Sequence, residues 1–310
     1  MHEGLQEVVG NIKKAIMGQE DILEYLLVAL LSEGHVLLEG VPGVGKTKLA
    51  LALSKSFKAD FKRIQFTPDV LPSDITGYYL YNRVAHCMEY REGAALCHFL
   101  LADEINRASP RVQSSLLEAM EEKQVTVEGK SQKLPTPFMV IATQNAIENE
   151  GTYPLPEAQL DRFFMKLQIT YPKREEWKEV LKWGEREDPV KSLEAVMTLK
   201  QLSEIKEEVK EVVVSEAIYE YILDFIQEIN RTEALEMGIN PRGSIALLKG
   251  AKAWAYLQGR NFILPDDVKK VADPILAHRM KLKGNQKMQT KQVERLLAEA
   301  LTRVKVPVSL

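Results

Sequence analysis

Apolar positions fall into two regimes along the chain. Up to about residue 170, short apolar runs alternate with amphipathic stretches. Leu5, Val8, Val9, Ile12 and Ile16 recur at helical spacing, so a helix is predicted over 3–16. A second helix, apolar on nearly every side and therefore buried, is predicted from Asp21 to Leu31. Runs of strand length follow at 35–39, 61–66, 94–102, 138–143 and 163–169. Helices are predicted between them from Lys48, over 109–122 and briefly over 156–160; Ser109-Pro110 opens the middle one with a cap and a first-turn proline. The stretch 124–130 reads as a hairpin arm, and 77–93 as an insertion with short strands. Beyond Tyr171-Pro172 the spacing is helical almost throughout, over 173–185, 199–210, 215–232, 241–258, 265–281 and 289–303. Ser215, Asn240-Pro241 and Leu264-Pro265-Asp266-Asp267 supply start signals there. The expectation is an α/β module over 1–171 and an all-helical one over 172–310.

One loop in this pattern carries chemistry. Gly40-Val41-Pro42-Gly43-Val44-Gly45-Lys46-Thr47 joins the apolar run 35–39 to the helix from Lys48. Strand, glycine-rich loop and helix together make the G-x-x-x-x-G-K-[ST] spacing a phosphate cradle. Gly43 and Gly45 let successive N–H groups point at one anion, and the helix aims its positive end at the same place. Lys46 adds a full charge against the β- and γ-phosphates of ATP, or the β-phosphate of ADP, and the Thr47 hydroxyl is a Mg²⁺ ligand. The run 94–102 ends in Asp103-Glu104, so a buried strand delivers two acids to the crevice edge of the sheet. Asp103 there suits the Mg²⁺ shell opposite Thr47, and Glu104 suits activation of the attacking water. Asn145 ends the next buried strand and is placed to hold that water. Arginine is the residue type that stabilises charge on phosphoryl oxygens. Arg162, just before the last strand, reads by itself as an ordinary surface arginine, and Arg242 lies in the first turn of a helix. A cation at a helix start opposes the dipole, which points to an anion partner for Arg242.

The bulk numbers add exclusions. With 310 residues the chain has room for one large or two modest domains. A net charge of −3 gives no bulk attraction to nucleic acid. No apolar run approaches the ~20 residues of a membrane span. The residues Met1 to Glu7 lack the features of a signal peptide, and two cysteines fit a reducing cytoplasm. His86-Cys87 and Cys97-His98 have metal-ligand chemistry, but the second pair falls within a predicted core strand, where alternation sends neighbours to opposite faces. Packing is the expectation for both.

The chain also resembles a known family over nearly its whole length. The runs that carry the resemblance are 34–43, Phe66-Thr67-Pro68-Asp69, 71–77, Asp103-Glu104-Ile105-Asn106-Arg107-Ala108, 116–120, Ala142-Thr143-Gln144-Asn145, 153–163, Pro241-Arg242, Gly259-Arg260 and Pro265-Asp266-Asp267-Val268. It is similar to AAA+ ATPases of the MoxR family, departing at Val44-Gly45, where such proteins often carry Leu-Ala. The resemblance implies a P-loop NTPase fold: a three-layer α/β/α core with a parallel sheet and a C-terminal all-α lid. It makes Lys46 and Thr47 Walker A, Asp103 and Glu104 Walker B, and Asn145 sensor 1. Val41, Pro42, Gly43, Val44, Gly45 and Lys48 complete the loop, with Ile16, Met17 and Gly18 near adenine. Arg162 resembles an arginine finger acting on a neighbouring subunit, and Arg242 a sensor 2 reaching the γ-phosphate of its own. A homo-oligomeric, hexameric ring is implied, with the inserts 78–93 and 123–137 facing its pore or substrate. The implied work is chaperone-like remodelling of protein clients, assembly or metal-cofactor insertion with a von Willebrand factor A partner. A nucleic-acid motor and a nucleotide-gated scaffold with little turnover are the alternatives. The first needs basic pore loops, and Lys123, Lys130 and Lys133 are a weak signal for them.

Overall fold

The computed structural model describes residues 2–41, 43–145, 151–184, 188–284 and 289–307. Helices α1 (Glu3–Lys13) and α2 (Glu20–Leu31) precede strand β1 (Val36–Gly40). After α3 (Lys46–Ser56) come β2 (Phe61–Gln65), the short α4 (Pro72–Thr76), a hairpin of β3 (Tyr78–Asn82) and β4 (Cys87–Arg91), and β5 (Phe99–Asp103). Next are α5 (Pro110–Glu122), a hairpin of β6 (Gln124–Val127) and β7 (Lys130–Lys133), β8 (Met139–Gln144), α6 (Glu157–Leu160) and β9 (Met165–Ile169). The remainder is helical: α7 (Arg174–Gly184), α8 (Leu199–Lys210), α9 (Glu216–Asn230), α10 (Pro241–Leu257), α11 (Pro265–Leu276) and α12 (Gln289–Arg303). A small antiparallel ladder of β10 (Leu235–Met237) and β11 (Lys281–Leu282) sits among them.

Five strands form one sheet in the order β2-β5-β8-β1-β9, with every neighbouring pair parallel. Strand alternation splits the core in two. Val36, Leu38, Phe99, Leu101, Met139 and Ile141 face one hydrophobic cluster, while Leu37, Leu100, Ala102, Val140 and Ala142 face another. The first cluster runs on without a break through α2 into Phe225, Leu247 and Ile275 of the C-terminal helices. The change at Tyr171 is therefore a change of secondary structure, with packing continuous across it. Among the described residues, no helix is long and apolar enough to cross a membrane.

Two expectations need correction. The strand predicted over 94–102 begins only at Phe99. Ala94 and Ala95 donate their N–H groups to the carbonyls of Asp74 and Ile75, at 2.8 and 3.0 Å, so that backbone is already committed. Cys97 and His98 thus lie in a bend before β5. Burial pushes the Cys97 thiol up to about 12, and His98 Nδ1 sits 3.1 Å from the Asp60 carboxylate. The helix predicted over 265–281 stops at Leu276. Arg279 turns inward there, and Lys281 joins the β10–β11 ladder.

An ion triad ties the helical half to the hairpin side of the sheet. Glu33, at a left-handed φ of 57°, accepts from Lys123 at 2.7 Å and from the buried Lys206 of α8 at 2.8 Å. Burial raises the Glu33 carboxyl, but the bonds from Lys123 and Lys206 outweigh that and hold it at about 2, below its ordinary 4.5. A depressed acid stabilises the fold above its unfolded pKa and loses that contribution as pH falls. Glu33→Gln is expected to cost about 2 kcal/mol at pH 7, discounted for the exposed side of Glu33. Thermal melts should show the two proteins converging as pH drops from about 4.5 toward 2. A constant gap across that range would refute the assignment.

Candidate nucleotide site

The phosphate loop leaves β1 and enters α3 as its spacing implies. Gly43 and Gly45 have φ of 81° and 88°, and Gly45 caps α3. Those left-handed angles are the ones glycine adopts without strain. Pro42 lies outside the described residues. Lys46 is 7% exposed and donates to Gly40 O at 2.8 Å. Longer contacts of 3.5 Å reach Gln144 O and Asn145 Oδ1. Burial pushes the Lys46 ammonium down from its ordinary value, against the opposing pull of Asp103, Glu104 and Glu39. An arriving polyphosphate would supply the charge that burial withholds.

The acid pair depends on a backbone feature that no residue pattern announces. Successive strand residues face opposite sides, so Asp103 and Glu104 should diverge. Glu104 instead adopts φ 56° and ψ 50°, a left-handed conformation costing ~1–3 kcal/mol for a non-glycine residue. Its N–H donates to Thr143 Oγ1 at 2.9 Å, and that same hydroxyl donates to Asp103 Oδ1 at 2.6 Å. One threonine on β8 thus pins both members of the pair. Glu104 Oε1 then accepts from Asn145 Nδ2 at 3.0 Å, and Oε2 pairs with Arg107 at 2.9 Å. Lys46, Glu104 and Asn145 form a connected set. Arg63 on β2 grips Asp103 Oδ2 through Nε at 3.2 Å and Nη2 at 2.7 Å.

Thr143, Arg63 and Arg107 escaped the sequence reading. Thr143 lies in the Ala-Thr-Gln-Asn run two residues before Asn145, so an eye to strand-end hydroxyls would have found it. Arg63 gives no local signal, because its partner is 40 residues away.

The donor set fits Mg²⁺. Thr47 begins the second position of α3 and Asp103 ends β5, so both are hard oxygen donors at the strand-end edge. A carboxylate has about four lone-pair sites, so Asp103 keeps acceptor capacity beyond Thr143 and Arg63. Among the described residues, no group of three or more His, Cys, Asp or Glu forms a metal cage. Mg²⁺ needs none where phosphate oxygens and water complete its shell.

Beside the loop lies a cleft of about 300 Å³. Met17, Gly43, Val44, Gly45 and Lys48 line it together with Gln19, and Trp177 and Trp183 of α7 close its far wall. Tyr171 stacks on Trp177 with centroids 6.4 Å apart. Gly18, at φ 71°, packs so closely under Glu176 that a Cβ would fall 2.1 Å from its carboxylate oxygen. An apolar, aromatic slot beside a phosphate cradle suits a flat base. Val41 packs on the main core, and Lys48 pairs with Asp188 at 3.3 Å. A larger hollow of about 520 Å³ lies between β9 and α11. Its lysines Lys166, Lys270 and Lys281 are each in ion pairs, with Glu39, Asp21 and Glu157 among their partners.

The two candidate arginines lie elsewhere. Arg162 Nε is 3.1 Å from Glu121 Oε2, and Arg242 Nη2 bonds Glu121 Oε1. Arg242 Nη1 lies 3.8 Å from Asp161. These groups occupy the edge where the strands start: Phe164 N donates to His35 O, just before β1, and His35 Nε2 donates to Met120 O beside Glu121. The phosphate loop is at the opposite edge, one five-residue strand away, a separation of about 16 Å that no single side chain spans. Arg242, expected to reach the γ-phosphate of its own subunit, stands in this structure on Glu121 at the other edge. The anion its helix-start position called for is a carboxylate of this chain.

This fold and this site define a P-loop nucleoside triphosphatase with a helical C-terminal part. Residues 35–165 match the model of the ATPase family associated with various cellular activities, and 227–300 match the AAA lid domain. The chain is 48% identical to the Bacillus subtilis protein YeaC, over 99% of this chain and 96% of that one. It is 40% identical to chaperone MoxR1 of Mycobacterium tuberculosis, covering 90% of this chain and 76% of that one. A crystal structure from Cytophaga hutchinsonii, reported as an ATPase candidate, superimposes with a TM-score of 0.90 at 37% identity, covering 98% and 95% of the two chains. The chain belongs to the MoxR family of AAA+ ATPases. It binds and hydrolyses ATP.

Proposed function

We propose that identical subunits assemble into a ring, most simply a hexamer, in which Mg²⁺-dependent ATP hydrolysis drives remodelling of protein clients. One observation carries this reading: Arg162 and Arg242 sit together on Glu121, at the edge opposite Lys46. Cations built for phosphoryl oxygens but out of reach of their own phosphate loop suit the loop of a neighbour. The 40% identity to a protein named as a chaperone supports protein clients. A partner with a von Willebrand factor A domain, and metal-cofactor insertion as the task, are the first candidates to test. The exposed free thiol of Cys87 fits a reducing, cytoplasmic setting.

In the proposed reaction Lys46 leaves Gly40 O for the β- and γ-phosphates. Thr47 and Asp103 would hold Mg²⁺, which when bound offsets charge on the phosphate oxygens. Glu104 takes a proton from the attacking water, and Asn145, bonded to its carboxylate, sets its direction. Arg162 and Arg242 of the next subunit stabilise charge on the transferred group. The working parts would be 1–171 and 172–310, moving against each other about their shared core.

The test is turnover per subunit against protein concentration, with sedimentation in ATP and Mg²⁺. Specific activity is expected to rise with concentration, in step with a ring-sized species. Activity that stays constant down to the monomer would overturn the reading.

A further inference from the structure

We propose that Glu121 is a positioning residue, which gathers Arg162 and Arg242 into one cationic pair and presents both to the triphosphate of the adjoining subunit. The proposal rests on the reading that this edge serves a neighbour's nucleotide.

Three distant parts of the chain meet here. Glu121 comes from the last turn of α5, Arg162 from the turn before β9, and Arg242 from the first turn of α10. One carboxylate serves two guanidiniums, Oε2 toward Arg162 Nε and Oε1 toward Arg242 Nη2. Two cations held side by side repel, and an anion between them is what makes the pairing tolerable. The bond to Arg162 is made at Nε. It leaves out the two Nη groups, which contribute to the fork that matches phosphate oxygens.

The base under the pair is densely bonded. Asp161 receives Arg279 Nε at 2.9 Å and Asn240 Nδ2 at 3.0 Å, beside its contact with Arg242. Arg279 is 3% exposed and also donates to the carbonyls of Phe163 and Phe164, at 2.8 and 3.2 Å, and of Ile275. The segment carrying Arg162 is thereby clamped to the turn after α11 and to the cap of α10. Glu121 and its two partners, by contrast, are a third to a half exposed. Such pairs contribute little to stability because water screens them. Their geometry, two guanidiniums converging on one point, matters instead for what the pair can reach.

The experiment compares Glu121→Gln with wild type at matched concentration. The variant keeps the shape and one acceptor and loses the charge. Turnover is expected to fall about 10- to 100-fold, the scale set by a misplacement of about 1 Å. ATP affinity of dilute subunits and the melting temperature are expected to stay unchanged. Mixing Glu121→Gln with Lys46→Ala subunits should restore turnover above either alone, because the second protein offers an intact arginine pair to the phosphate loop of the first. Arg162→Ala mixed with Lys46→Ala is the control. If that control shows no recovery, the reading of the edge as serving a neighbour fails, and the proposal with it. If the control recovers but Glu121→Gln turns over at the wild-type rate or faster, Glu121 does not position the pair and this proposal alone is overturned.

Discussion

Glu104→Gln is expected to bind ATP normally and to hydrolyse it about 10²- to 10⁴-fold more slowly, the usual contribution of a positioned base. The side chains are nearly isosteric, so the strained backbone at residue 104 has no new clash to relieve. Asn145 Nδ2 can still donate to the remaining amide oxygen, as it does to the carboxylate at 3.0 Å. Lys46 and the loop amides, which carry binding, are untouched. What disappears is an acceptor able to take a proton from water. Binding can be read from the emission of Trp177 and Trp183, which line the cleft beside the loop. Hydrolysis is read separately as single-turnover phosphate release. Wild-type release rates in the variant would remove Glu104 from the mechanism.

Arg162→Ala is expected to lower turnover in the assembled protein about 10³-fold or more, the lower end of what an arginine supplied to a phosphoryl group contributes. The affinity of dilute subunits for ATP should not change, since Arg162 is separated from its own Lys46 by the length of a strand. The substitution also releases half of Glu121, whose Oε1 still holds Arg242. The fold should tolerate this, because Arg162 is about one-third exposed and its ion pair is screened. A parallel loss of ATP affinity in dilute protein would place Arg162 beside its own nucleotide and contradict the geometry at Glu121.

Much of this was legible in the chain because the signals are local. The phosphate loop needs glycine at fixed offsets, a lysine and a hydroxyl, and each requirement is met within eight consecutive residues. Buried parallel strands announce themselves as apolar runs, and counting along those runs puts Asp103 and Asn145 at strand ends and Arg162 just before a strand start. The five core strands and the six C-terminal helices were found within a few residues. The misplaced start of β5 was a failure of the same rule: Ala94 to Cys97 are apolar, but Ala94 and Ala95 bond the carbonyls of Asp74 and Ile75 in α4.

Local chemistry is thus what the linear order of residues determined: a triphosphate cradle, two acids and an amide on successive strand ends, and a helical second half. Three matters were decided only by tertiary structure. The left-handed turn at Glu104 brings two adjacent acids to one site, and it exists because Thr143, forty residues on, pins them both. The pairing of Arg162 with Arg242 depends on Glu121, contributed by a third element. The distance of those arginines from their own phosphate loop, with the arginines at the strand-start edge and the loop at the strand-end edge, is what supports the proposal that they serve a neighbouring subunit. A motif records which residues can grip a phosphate; only the parallel order of the sheet, with starts at one edge and ends at the other, says whose phosphate lies within reach.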